Sequence, residues 1–242
     1  KLLIHSDTTD TSTTFTDSGR LGSHTITAIG TAQHKTAEKQ FGATSMYFDG
    51  SGGYASIPDS TDWHFGTNNF TIDFWAKGTE TSDTRGFFTY FKDSSNKFHL
   101  TNYSYLEFYS IRGGSSQNLS FSNGRDTAWH HYAVVLNGTT LRIYIDGVMT
   151  GENTNYTLNI DFTGGTFYVG ARTDNGSNFS SYSAAIYMDE FRVSKGVARW
   201  TENFTVPYKA YQDSTPAILT GGYLITGSGT IENGLIDSTD QW

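Results

Sequence analysis

The sequence contains no cysteine and no long apolar run, and each absence excludes a class of protein. Without cysteine, the 242 residues form neither a disulfide framework nor a thiolate metal site. The cellular compartment stays open, because many large exported β domains need no disulfides. No apolar run approaches the ~20 residues that a membrane helix needs, so we expect no membrane insertion.

Charge is also scarce, and what there is has mainly one sign. Charged residues make up 17% of the chain, and 24 acids against 16 bases give a net charge of −8. Binding to a nucleic-acid backbone depends on clustered Lys and Arg, which release counterions. We therefore expect no nucleic-acid partner.

Apolar and polar residues alternate over many short runs, which is the pattern of strands with one buried face. In residues 70–77 (FTIDFWAK), Phe70 and Phe74 share one face, while Thr71 and Asp73 point to the other. Phe, Tyr and Trp, which favour strands and bury large areas, supply 15% of the chain. The pattern predicts an all-β fold, a two-sheet antiparallel β-sandwich of the jelly-roll kind.

Two dipeptides have the chemistry of hairpin turns. Asn137-Gly138 separates residues 132–136 from residues 140–145, and Asp146-Gly147 follows the second of these runs. Such pairs accept the positive φ angles that tight hairpins require. We predict hairpins at both places.

The texture of the sequence changes after Tyr211. Residues 212–216 are polar, and residues 217–242 contain several glycines among scattered aliphatic residues, too few to bury a core alone. We therefore divide the chain into a domain at residues 1–211 and a C-terminal arm, or the start of a following region, at residues 212–242. A single helical turn is expected near residues 198–202.

Several segments, in their order and spacing, resemble laminin G-like, concanavalin A-like jelly-roll domains, over about residues 1–210. They are residues 70–75 (FTIDFW), 127–135 (TAWHHYAVV), 141–147 (LRIYIDG) and 188–193 (MDEFRV). Residues 191–200 (FRVSKGVARW) are similar to the variant found in bacteriophage structural proteins. The resemblance implies a curved sandwich that binds carbohydrate or protein, and only some branches of this superfamily are hydrolases.

The resemblance also implies a calcium ion near the rim of the sandwich. It makes Asp7, Asp17 and Asp189 the candidate ligands of a structural Ca²⁺. Calcium prefers several carboxylate and carbonyl oxygens, which loops rich in Asp and Gly supply. The alternative is that these acids cap turns and face solvent, as Asp commonly does.

The acids do not favour hydrolysis. Laminarinase-type relatives carry Glu-x-Asp-x-x-Glu on one strand, and this motif is absent. A retaining glycosidase needs two carboxyl groups ~5–5.5 Å apart, whereas adjacent Asp189 and Glu190 leave opposite faces of a regular strand. We predict that the chain is not an enzyme, and a cross-strand acid pair is the alternative that would make it a hydrolase. His130 and His131, adjacent as well, are predicted to be structural residues.

Tyrosines in polar stretches are candidates for sugar binding, because aromatic rings stack on the apolar faces of sugars while amides bond their hydroxyls. Residues 102–105, 112–118 and 172–183 have this composition. The candidate carbohydrate-binding residues are Tyr103, Tyr105, Arg112, Arg172, Asn175 and Tyr182. Tyr90, Tyr109 and Trp200 have similar surroundings, although outward tyrosines of a sandwich often pack only against cross-strand neighbours.

The sequence therefore predicts a non-catalytic carbohydrate-binding or adhesion module, virion-associated or extracellular, whose partner is a cell-surface glycan. The alternative is a structural virion component, such as a capsid decoration, fibre or tail protein. An extended arm can add strands to a neighbour's sheet edge. We accordingly expect contacts of the arm with other virion chains or further copies of this chain, and a homo-oligomer.

Overall fold

The computed structural model describes residues 1–20, 23–81, 84–122, 125–179 and 185–212, and the backbone of residues 231–232 and 235–236. These residues form strands and turns, and none of them belongs to a helix that could cross a membrane. The strands are β1 (Leu2–Ile4), β2 (Thr14–Phe15), β3 (Ile26–Ile29), β4 (Gln33–Lys35), β5 (Ser45–Asp49), β6 (Tyr54–Pro58), β7 (Phe70–Gly78), β8 (Arg85–Asp93), β9 (Asn96–Asn102), β10 (Tyr105–Arg112), β11 (Ser115–Ser122), β12 (His130–Asn137), β13 (Thr140–Ile145), β14 (Val148–Asn153), β15 (Thr166–Val169), β16 (Ala185–Lys195), β17 (Ile231–Glu232) and β18 (Leu235–Ile236).

Two eight-stranded antiparallel sheets pack face to face. Sheet A has the order β14-β13-β12-β7-β16-β5-β4, and β1 also pairs with β16. Sheet B has the order β11-β10-β9-β8-β15-β6-β3-β2. The buried apolar side chains of both sheets form one cluster between them. The predicted all-β sandwich is confirmed.

Aromatic rings from the two sheets meet in the core. Phe74 of sheet A lies 5.2 Å from Phe87 of sheet B, and Phe191 of sheet A lies 6.1 Å from Phe167 of sheet B, measured between ring centroids. Fully burying one such side chain stabilises the fold by about 1.5–3 kcal/mol. The abundance of aromatic residues in the sequence is thus explained by the inner faces of the sheets.

Both predicted hairpins are formed. Gly138 has a φ of 61°, and Asp146 and Gly147 have φ values of 51° and 76°. Strand β13 accordingly pairs with β12 on one side and with β14 on the other.

Only two short strands of the predicted C-terminal arm are described. Strands β17 and β18 pair with each other in a separate two-stranded sheet. The division of the chain at residue 212 stays a prediction.

Residues 196–211, which we call the covering segment, pack on the outer face of sheet A. The backbone N–H of Arg199 donates to Thr71 Oγ1 at 3.0 Å, and the N–H of Phe204 donates to the carbonyl of Gly147 at 2.9 Å. A side chain at Gly147 would collide with the carbonyl of Phe204, so glycine permits this close approach. Polar residues on the outer side of the sheet, such as Thr71, are therefore buried.

The predicted helical turn near residues 198–202 is wrong, because contacts with the sheet replace those of a helix. Trp200 stacks on Phe204 at 3.9 Å, and its carbonyl accepts a hydrogen bond from the Tyr144 hydroxyl at 3.4 Å. Both rings pack on a small apolar cluster of β12 and β13.

A buried polar network holds the end of the covering segment. Arg192 donates to the two carboxylate oxygens of Asp73 at 3.0 and 2.7 Å, and the Tyr211 hydroxyl donates to Asp73 at 2.6 Å. His131 Nε2 lies 2.9 Å from the same hydroxyl. Burial opposes the ionisation of Asp73, but the Arg192 guanidinium outweighs it and holds the pKa of this carboxyl well below its ordinary value. His131 thus has the structural role that was predicted for it.

Strand β16 contains a bulge at Glu190, which has a φ of 54°. The prediction that Asp189 and Glu190 leave opposite faces is wrong, because the extra residue interrupts the alternation. Glu190 accepts from the backbone N–H of Tyr211 at 2.7 Å, on the outer side of sheet A. Asp189 accepts from the N–H of Phe41, whose ring packs on Trp75 on that same side.

Replacing Tyr211 by Phe tests the network, because the change removes only the hydroxyl that joins Asp73 to His131. We expect the free energy of unfolding, measured by denaturant titration, to fall by about 1–3 kcal/mol, since two buried groups lose a partner. Tyr208→Phe is the matched control: Tyr208 is 84% exposed, and we expect its change to stay within about 0.5 kcal/mol. Equal stability of Tyr211→Phe and the unchanged chain would show that the network does not hold the segment.

Candidate functional site

The outer faces of the two sheets differ in how far they are covered. The covering segment buries the outer side of β7 and of β13 in sheet A. In sheet B, the outward side chains of β10 and β11 are exposed or half-exposed. We call this surface the open face; its residues are Tyr105, Glu107, Tyr109, Ile111, Ser116, Asn118, Ser120 and Ser122.

Strand register places tyrosines beside small polar residues on the open face. Tyr105 pairs with Ser122 and Tyr109 pairs with Asn118. The Asn118 amide donates to Glu107 Oε1 at 3.0 Å. Because the residues that alternate with them on β10 are in the core, these side chains are fixed on the outer side.

His99 of β9 lies against Tyr109, with stacked rings whose centroids are 5.3 Å apart. Since β10 lies between β9 and β11, the opposite side of the Tyr109 ring is turned toward β11. His99 is buried, and neither ring nitrogen has a hydrogen-bond partner among the described residues. Burial, followed by the charge of Arg172, lowers the pKa of His99 well below its ordinary value, so this imidazole is neutral at pH 7.

Residues 171–179, which we call the bordering loop, lie on the outer side of sheet B, where Phe179 packs on Tyr54 and Asp174 lies at β9, next to the open face. Asp174 contacts Lys97 Nζ at 2.8 Å through one carboxylate oxygen and Arg172 at 2.9 Å through the other. Burial opposes the ionisation of Asp174, but the two cations outweigh it and hold its pKa at about 2. The Asn175 side chain accepts from the backbone N–H of Ser177 at 2.9 Å, which shapes the loop.

Four of the predicted sugar-binding residues lie on or near the open face. Tyr105 belongs to it and is 41% exposed. Tyr103, which is 55% exposed, lies in the turn between β9 and β10, at one end of the face. Arg172 and Asn175 lie in the bordering loop.

The other predicted positions lie elsewhere. Arg112 is at the opposite end of β10 from Tyr105, and its guanidinium donates to the carbonyl of Asn159 at 3.1 Å. Tyr182 lies outside the described residues. The expectation that Tyr90 and Trp200 could also bind sugar is wrong. Tyr90 is buried in the core, and Trp200 packs on Phe204 in the covering segment.

Sequence reasoning missed Lys97, His99, Glu107 and Asp174. The available signal was the alternation in β9 (NKFHLTN), which puts Lys97 and His99 on the side opposite Phe98. Glu107 alternates in the same way with the core residues of β10.

A laminin G family model described as "Concanavalin A-like lectin/glucanases superfamily" matches residues 49–202, more than half of the chain. The chain belongs to this superfamily. The matched residues contain the whole open face and the bordering loop. Among curated proteins, none matches this sequence.

Solved structures with this fold include binding domains of botulinum neurotoxins. The binding domain of botulinum neurotoxin DC in complex with SialylT has a TM-score of 0.60 and 14% identity, and the alignment covers 88% of this chain and 48% of that one. The same domain in complex with rat synaptotagmin II has a TM-score of 0.61 and 14% identity over 88% and 49% of the two chains. A structure of botulinum neurotoxin type C, whose cell entry is described as dependent upon interaction with two ganglioside molecules, has a TM-score of 0.60 and 15% identity over 80% and 47% of the two chains.

The chain spans about half the length of these neurotoxin domains. At this level of identity the likeness shows the superfamily fold. The molecules that accompany those structures are ligands and partners of the neurotoxins. The similarity to bacteriophage variants stays a prediction.

The three acids that the family resemblance makes candidate calcium ligands do not form one ion site. Both oxygens of Asp17 already have partners: Oδ1 accepts from the backbone N–H groups of Leu3 and Gly19 at 3.1 and 2.8 Å, and Oδ2 lies 2.6 Å from His24 Nδ1. Asp7 accepts from the backbone N–H of Ala43. The alternative, that these acids cap turns and face solvent, holds for the hydrogen bonds to backbone N–H groups but not for the exposure, because Asp17 and Asp189 are buried.

Asp189 binds backbone N–H groups as well. Its Oδ2 accepts from Gln40 and Phe41 at 3.0 Å each, and its Oδ1 accepts from Glu190 at 3.0 Å. Among the residues that the structure describes, no group of three or more His, Asp or Glu side chains could hold a metal ion. Calcium binding stays a prediction, and Asp7, Asp17 and Asp189 do not support it together.

Asp189 gives the stability of the chain a specific pH dependence. Burial raises its pKa to about 7 from an ordinary value of 3.8, so its contribution is fully present below about pH 3.8, falls progressively as the pH rises, and is lost once the pH has passed through 7. Between pH 6 and pH 8, we expect the free energy of unfolding of the unchanged chain to fall by about 1 kcal/mol more than that of the Asp189→Asn variant, because the asparagine side chain does not titrate. Denaturant titrations across this range measure both slopes. Parallel profiles would contradict the shifted pKa.

Proposed function

We propose that the chain is a non-catalytic carbohydrate-binding module that binds glycans on the open face. The observation that carries this proposal is a difference between the two outer faces: the covering segment buries the outer side of β7 and β13 in sheet A, whereas β10 and β11 of sheet B expose tyrosines beside amide, hydroxyl and carboxylate groups. Membership of a lectin and glucanase superfamily supports it. The glycan ligands that accompany some of the neurotoxin structures support it further.

The open face supplies the two kinds of contact that a sugar needs. The ring of Tyr109 has one side free of His99, and an apolar sugar face can stack there. Directly beside it, Asn118 and Glu107 offer a donor and acceptors for hydroxyl groups. Tyr105 repeats the aromatic contact farther along the strand. These side chains stand on strands, so their spacing is fixed before the ligand arrives, which lowers the entropy cost of binding.

The described acids support the non-catalytic part of the proposal. Glycoside hydrolysis uses two carboxyl groups, one of which is a proton donor. On the open face Glu107 is the one described carboxylate, and the neighbouring Asp174 is ionised and bound to two cations. Asp189 has a raised pKa suited to a proton donor, but it is buried against residues 40–41.

We place this binding on a virion surface or outside the cell, as an attachment function. The support is the similarity of residues 191–200 to bacteriophage structural proteins. The structural alternative acts through the C-terminal arm. We expect deletion of residues 213–242 to reduce an oligomer to monomers by light scattering, because an arm of that kind would pair with neighbouring chains. An unchanged mass would contradict an assembly role for the arm.

A glycan array with bacterial and algal polysaccharides identifies the ligand, and titration calorimetry on Tyr109→Ala then tests the site. We expect binding to weaken about tenfold or more, since the variant loses its stacking surface. Tyr208→Ala removes an exposed tyrosine of the covering segment and serves as the matched control, with unchanged binding expected. Silence across the array, or equal binding by Tyr109→Ala, would contradict the proposal.

A further inference from the structure

Two tyrosines of the open face are too far apart for one sugar ring. Tyr105 and Tyr109 lie on the same side of β10, four residues apart. At about 3.4 Å per residue, their Cα atoms are separated by about 14 Å along the strand. This distance exceeds the width of a pyranose ring. A ligand that contacts both tyrosines must contain several linked sugars.

Short hairpin turns form the two described ends of the open face. At one end lies the β9–β10 turn with its exposed Tyr103. At the other end lies the β10–β11 turn, where a side chain built at Gly113 or Gly114 would meet no atom within 4 Å. A site for a terminal sugar needs a wall that stops the chain, and each of these turns has only two residues between its strands, too few to fold back over the face.

The sides of the open face are unequal. The bordering loop lies on the β9 side, whereas β11 is the last strand of sheet B. The surface is therefore a shelf with one raised side, and its long direction is that of β10. A chain-like ligand fits along it.

The charges of the shelf favour a neutral ligand. Glu107 projects between Tyr105 and Tyr109 on the same side of β10, so a carboxylated or sulfated sugar stacked on either ring would approach a negative charge. The nearby cations Lys97 and Arg172 are both bound to Asp174, with which an acidic sugar would compete. Hydroxyl groups, in contrast, can donate to Glu107.

We infer that the open face binds an internal stretch of a neutral, linear glycan chain, with Tyr105 and Tyr109 on different sugar units and Glu107 excluding acidic chains. This inference rests on the proposed function. It adds the length, the charge and the mode of recognition of the ligand.

Titration calorimetry with β-glucan, mannan, xylan and galactan oligosaccharides of one to six units tests the mode of recognition. For the chain type that binds, we expect affinity to rise at least tenfold from one unit to the longest oligomers, and reduction of the end sugar to leave it unchanged. A monosaccharide that binds as tightly as the hexamer, or loss of binding on modifying the end, would overturn the inference while leaving the proposed function intact. Absence of binding to every neutral and acidic chain would defeat the proposed function itself.

The role of Glu107 is tested with alginate and pectate oligosaccharides of the same lengths. We expect the unchanged chain to bind them at least tenfold more weakly than the preferred neutral chain, and Glu107→Gln to reduce this difference severalfold. Glu202→Gln makes the same change of charge at an exposed position of the covering segment and should leave the difference unaltered. A preference for acidic chains would overturn the inference. An unaltered preference in Glu107→Gln would overturn the role of this residue.

Discussion

The buried ion pair of Asp73 and Arg192 is the interaction on which the rest of the molecule depends. A carboxylate and a guanidinium in the middle of a sheet are costly to remove from water unless each is fully bonded. Arg192 supplies two hydrogen bonds, and Tyr211 supplies a third from the end of the covering segment. The covering segment is therefore part of the sandwich, since without it these charges would lie on an exposed sheet.

This arrangement affects the two outer faces of the sandwich unequally. In sheet A, the outer side of β12 and β13 is occupied by the molecule's own chain, through the stacked rings of Trp200 and Phe204. The outer face of sheet B retains exposed tyrosine, asparagine and serine side chains on two adjacent strands. The recognition that we propose thus rests on regular strands, and the loop beside them adds an ion cluster around Asp174.

The features that the sequence predicted well are local ones. Alternation around Phe70 and Phe74 identified a core-facing strand, and Asn137-Gly138 identified a hairpin, because both depend on neighbouring residues. The same alternation could not reveal that Asp73 is buried, since the segment that buries it is more than a hundred residues away. The bulge at Glu190 likewise depends on pairing with β7, which is distant in the sequence.

The candidate site could be predicted only in part, for the same reason. Tyr105 was identified from its polar surroundings, but Tyr90 has similar neighbours in sequence and is a core residue bonded to Asp59. Which tyrosine faces outward depends on strand phase, and which ones come together depends on the order of strands in sheet B. His99 and Asp174 meet near Tyr109 because of that order, which no short motif encodes.

Tyr211 fixes the place at which the covering segment ends. Its ring is buried on the sheet A side, so both sheets of the sandwich lie between this residue and the open face. The covering segment and the open face therefore share no surface, and a molecule lying on β10 and β11 does not compete for space with the network around Tyr211.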